Sequence, residues 1–119
     1  MKIFILSIFF LAIAGNSMLK AQLVYSCDSQ YDADVKVWVA DSRYDADLLV
    51  KKCDSRYDAE GTNQGLWYFC DSRYDAEVLI YFVNSRYDAD LIIYFVDSPY
   101  DAVWENTDKL YLMMPREWT

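Results

Sequence analysis

Asp41-Ser42-Arg43-Tyr44-Asp45-Ala46-Asp47-Leu48-Leu49-Val50-Lys51-Lys52-Cys53 is one unit of an internal repeat, and its reading decides the fold. Its first seven residues return, with small changes, at Asp28, Asp54, Asp71, Asn84 and Asp97. Successive copies lie 13, 13, 17, 13 and 13 residues apart, and the long interval holds the insertion 61–64, Gly61-Thr62-Asn63-Gln64. Each motif is followed by an apolar stretch: Val35 to Ala40, Leu48 to Cys53, Gly65 to Cys70, Val78 to Val83 and Leu91 to Val96. Val, Ile, Leu, Phe and Tyr at this length predict β-strands. Gln22 to Cys27 fits the same slot before the first motif.

The motif itself predicts a tight helical turn. Serine followed three residues later by an acid is the capping-box pattern. Ser42 with Asp45, Ser55 with Asp58, Ser72 with Asp75 and Ser85 with Asp88 are the expected caps. Pro99, after Ser98, suits a first helical position.

Near-identical units imply near-identical surroundings, and translation along a parallel β-solenoid supplies them. The expected fold is a short solenoid of 13-residue coils, each a strand plus one helical turn. A coil of this length closes only if the paired strand is nearer five residues than six. The alternative is an antiparallel β-meander with seven-residue turns, longer than hairpins usually carry. The repeat domain spans 22–102. Residues 103–119, where the pattern breaks, are expected to cap its open end.

The tandem Ser-Arg-Tyr-Asp-Ala-Asp units, with Leu66-Trp67-Tyr68-Phe69 and Ala102-Val103-Trp104-Glu105-Asn106, resemble an uncharacterised bacterial family of short repeat proteins. The likeness covers about residues 23–112. It implies a common fold. It implies no established activity and no catalytic residue.

Residues 1–21 read as a secretory signal peptide: Lys2, an apolar run Ile3 to Ala14 interrupted by Ser7, and a polar stretch ending at Ala21. Export to the periplasm, the cell surface or the medium is therefore expected, with no membrane span after cleavage.

Nineteen acidic against 11 basic side chains give a net charge of −8, which argues against nucleic acid. There is no histidine, so no imidazole can serve as base or ligand. The serines lack a triad partner, and the carboxylates recur in every unit, whereas an active site is a singular arrangement. No enzyme activity is expected.

Sixteen of the 19 acids lie in the motif. Stacked carboxylates repel, and Arg43, Arg56, Arg73 and Arg86 are expected to bridge them. Calcium at Asp34, Asp47 and Asp90 is a weaker alternative, because Asp-rich repeats offer hard oxygen ligands. Cys53 and Cys70 share one repeat position and form the candidate disulfide. The motif tyrosines are expected to cover the core with their rings.

The strand centres carry the candidate binding surface. One aligned position runs Tyr25, Trp38, Lys51, Tyr68, Tyr81 and Tyr94, and its neighbour on the other face runs Val39, Lys52, Phe69, Phe82 and Phe95. The first row is expected on the outer face. Trp38, Tyr68, Tyr81 and Tyr94 then form an aromatic strip suited to an envelope protein, a glycan or a second copy of the chain. The expected function is a non-enzymatic envelope scaffold or binding module. The alternative is a calcium-dependent structural module.

Overall fold

A computed structural model describes residues 22–57 and 64–114. Residues 1–21, where the signal peptide is expected, residues 58–63 and the last five residues lie outside the described part.

Seven strands form: β1 (Gln22–Ser26), β2 (Val35–Val39), β3 (Leu48–Lys52), β4 (Leu66–Phe69), β5 (Val78–Phe82), β6 (Leu91–Phe95) and β7 (Val103–Trp104). Five residues is the usual strand length in the repeat, which is the length that lets a 13-residue unit return. β1 to β6 are parallel, and β7 runs antiparallel on β3.

The strand order is β4-β1-β5-β2-β6-β3-β7, and β3 also pairs with β4. Six parallel strands therefore close into a barrel, with β7 outside. This corrects the expected solenoid. In a stack of coils each strand pairs with the next in sequence, whereas here β1, β2 and β3 never touch as neighbours. They occupy every second place round the barrel. The chain then passes round again, and β4, β5 and β6 fill the gaps. The antiparallel meander is likewise not formed; only β7 is antiparallel.

The register is steeply staggered. β2 pairs with β5 through Val35 to Val37 and with β6 through Val37 to Val39. β1 and β5 divide their residues between two neighbours in the same way. Alternation then sorts the side chains. Val24, Val37, Val50, Trp67, Ile80 and Ile93 point inward from strand centres and are almost wholly buried. Met113, from the 3-10 helix Thr107–Met113, completes this cluster and is fully buried.

Trp67 is the one large ring at a position otherwise held by Val or Ile. Gly65, two residues earlier on the same face, gives up the volume that Trp67 takes. A Cβ at Gly65 would collide with the carbonyl oxygen of Leu49, and Gly65 has φ +93. That dihedral suits glycine.

Gly65→Ala is expected to destabilise the fold by about 2–4 kcal/mol in urea unfolding, through backbone strain and overpacking together. A loss below about 0.5 kcal/mol, the scale of ordinary surface changes, would show that β4 does not approach β3 this closely. A peptide of residues 22–57, which holds β1 to β3, is expected to show no strand signal in circular dichroism. Stable strand structure in it would contradict the interleaved order.

Candidate functional site

Among the described residues five of the six motifs make a single 3-10 turn that passes outside the barrel. The turns are Gln30–Asp32, Arg43–Asp45, Arg73–Asp75, Arg86–Asp88 and Pro99–Asp101. Serine begins each one: Ser42, Ser72 and Ser85 accept through Oγ from the N–H of Tyr44, Tyr74 and Tyr87 at 3.2–3.3 Å. Ser55 does the same for Tyr57. The expected capping box does not close. The N–H of Asp45, Asp75 and Asp88 goes to the serine carbonyl, and their carboxylates stand exposed. A three-residue turn is too short for the reciprocal bond. Asp58 lies outside the described residues.

The second acid of the motif has a sharper role. Asp34 donates its N–H to the Leu79 carbonyl at 2.7 Å and accepts the Leu79 N–H on its carboxylate at 3.1 Å. Asp47 does this to Ile92, Asp90 to Lys36 and Glu77 to Leu23. Each acid thus continues the ladder where the stagger leaves a strand without a backbone partner. In the sixth copy the acid is Val103, and β7 pairs that residue's backbone with Leu49. Asp34, Asp47 and Asp90, the candidate calcium ligands, are therefore spread along different strands and hold backbone N–H groups. Among the described residues no three acids or cysteines gather closely enough to hold a metal.

Asp47 carries the most. Its carbonyl accepts from the N–H of Glu105 and of Asn106. Its carboxylate accepts from Asn106 Nδ2 at 3.2 Å and pairs with Lys109 Nζ at 3.1 Å. Its polar contacts add to the β7 pairing and the buried Met113 in docking the C-terminal segment.

Cys53 and Cys70, the candidate disulfide, are free thiols, as is Cys27. The stagger is the reason. The register sets Lys52 against Trp67 and the Cys53 N–H on the Trp67 carbonyl, so Cys53 falls level with Tyr68 and not with Cys70. Burial pushes the Cys27 and Cys70 thiols above the ordinary cysteine value, with Arg73 and Arg56 acting in the opposite sense.

The outer face holds the aromatic row. Trp38, Tyr68, Tyr81 and Tyr94 alternate with inward residues and are half-buried. Register sets each beside an aliphatic or lysine on the next strand: Tyr68 by Leu23, Tyr81 by Lys36, Trp38 by Ile92 and Tyr94 by Leu49. They are one per strand round the barrel rather than one continuous strip. The inward row ends at the barrel mouth, where Phe69 stacks with Phe82 and Lys52 lies over Phe69. Arg86, expected to bridge carboxylates, instead lies over Trp38, 5.6 Å from the ring centroid.

The motif tyrosines overturn their expected role. They do not cover the core. Their exposure runs from 72% for Tyr57 to 96% for Tyr100. One phenol per turn projects into solvent. The signal was present in the sequence: a tyrosine fixed in a polar loop, flanked by charged residues, has no apolar neighbour to pack on.

A family model described as the 7(1) septoil knot domain matches residues 21–105. The chain belongs to the septoil knot domain family. That description suits a chain that passes twice round one barrel and interleaves the two passes. It names a path and not an activity. Comparison of this septoil knot domain with curated proteins found no match, and comparison with solved structures found none.

Removing an acid should separate the two roles within one motif. Asp47→Ala is expected to cost about 2–3 kcal/mol, since it strips charge-assisted bonds from a backbone N–H and from the C-terminal segment. Asp45→Ala is expected to stay within about 0.5 kcal/mol. Equal losses in urea unfolding would refute the assignment.

Proposed function

We propose that the chain is an exported, non-enzymatic binding module of the cell envelope, and that its outer surface makes the contact. The observation that carries this is the ring of motif tyrosines, each at least 72% exposed and each rigidly based on a serine-capped turn. Tyrosine supplies large contact area with only two rotatable bonds, and interfaces are enriched in it. A fold that needed these rings for packing would bury them. The half-buried row beneath, Trp38, Tyr68, Tyr81 and Tyr94, forms the floor between turns. The apolar leader at 1–21 supports export. Among the described residues no helix is long and apolar enough to cross a membrane, and the partner belongs to the envelope as protein or glycan.

Replacing Tyr31, Tyr44, Tyr74, Tyr87 and Tyr100 together with Ser is expected to leave the thermal midpoint nearly unchanged. Retention on isolated envelope material should fall by tenfold or more. Wild-type retention by a folded variant would sink the reading.

A further inference from the structure

The turns do not all cover the barrel alike. Turn Arg86–Asp88 crosses β2, and Arg86 roofs the ring of Trp38. Turn Gln30–Asp32 crosses β5 in the same way. Here the residue equivalent to Arg86 is Gln30, and the ring beneath is Tyr81. A groove of about 510 Å³ opens at this place, lined by Gln30, Lys36, Tyr81, Asn84, Tyr87 and Asp88 among others.

Three of those lining residues are departures from the repeat. Gln30 stands where four other copies carry Arg. Lys36 stands where the five other barrel strands carry Leu or Ile. Asn84 stands where the other five copies carry Asp. They come from the first motif, the second strand and the fifth motif, and the interleaved barrel brings them to one groove. Architecture explains a residue that every unit repeats. It does not explain three exceptions that converge.

The exceptions change the chemistry in one direction. An arginine and an aspartate become amides, and each amide offers both donors and an acceptor. Lys36 adds an ammonium that makes no ion pair among the described residues. Tyr81 offers a ring, and Tyr87 and Asp88 add a phenol and a carboxylate. Mixed donors and acceptors in a groove whose exposed lining is almost wholly polar match a neutral ligand with many hydroxyls. Asp88 and Asp90 disfavour an anion, and Lys36 disfavours a cation. The volume lies within the range of small-ligand sites, roughly 300–1,000 Å³.

Resting on the binding-module reading above, we infer that this groove binds a short neutral saccharide through hydrogen bonds with Gln30, Lys36, Asn84 and Asp88. The full chain would be titrated with di- and trisaccharides of glucose, galactose, mannose and N-acetylglucosamine, and with a uronic-acid disaccharide, following amide NMR shifts. At least one neutral sugar should give saturable shifts at Gln30, Lys36 and Asn84. Gln30→Arg, which restores the repeat residue, should weaken that sugar tenfold or more without moving the thermal midpoint. The inference is overturned if no neutral sugar gives saturable shifts, if the acidic sugar binds as well, or if Gln30→Arg binds like wild type. Should the sugars fail while the tyrosine variant still loses envelope retention, the groove is wrong and the binding module stands. Should a sugar bind while the tyrosine variant keeps full retention, the groove stands and the tyrosine surface is wrong.

Discussion

A stagger of two residues between adjacent strands governs the molecule. Each interior strand gives its first residues to one neighbour and its last residues to the other. A five-residue strand so divided leaves unpaired backbone groups on the flank that neither neighbour reaches. Buried backbone groups need partners. Asp34, Asp47, Glu77 and Asp90, the second acids of four motifs, meet that need from the chain just before the next strand begins. The motif is thus spaced by the ladder, and its last acid is a surrogate residue of the sheet. Where the sixth copy lacks the acid, a real strand, β7, takes over.

The same stagger fixes the order of assembly. Val24 pairs with Val78 and Val35 with Ile80, so partners between strands of the first and second pass lie 54 or 45 apart in sequence, as with Lys36 to Asp90 and Leu79 to Asp34, and only the β3–β4 pair is closer. Almost no sheet exists until the second pass has been laid between the strands of the first. Loop-closure entropy is then met before any ladder bond offsets it, which is the condition for slow folding. The insertion falls in the connection from β3 to β4, the one that joins two adjacent barrel strands and changes passes. An extra-long link is needed once, and the sequence contains it once.

The strands, their parity and their parallel direction were legible in the sequence, because period-two alternation and repeat spacing encode them locally. The outer placement of Trp38, Tyr68, Tyr81 and Tyr94 followed from the same alternation. The pairing order was not legible. Translation by one strand place and translation by two places both give every unit the same surroundings, and nothing within a 13-residue unit distinguishes them. Closure could have been suspected from the apolar residues on both faces of each strand. A solenoid coil buries one face, whereas a barrel fills its interior and lets the turns shade the outside. The disulfide between Cys53 and Cys70 failed for the same reason as the solenoid, since equal repeat positions are not level across a staggered ladder.

Exposure of the motif tyrosines separates what repetition can mean. Ala46 and Ala102 are buried where a turn lies close to the barrel, and the serines and second acids hold backbone groups. Those positions are repeated because the fold uses them in one turn after another. Tyr44, Tyr74 and Tyr87 contribute only a backbone N–H to the same turns, which any residue but proline could supply. Each exposed ring leaves apolar surface in water with no compensating burial in the monomer. A cost carried at every turn without a packing return points outward, to a contact made by the surface as a whole. The groove over Tyr81 is the complementary case. There the units stop agreeing, and disagreement at Gln30, Lys36 and Asn84 is local in space although dispersed in sequence. In a molecule built by repetition, residues that the fold does not need at every turn, and exceptions that converge in space, are where a contact is to be sought.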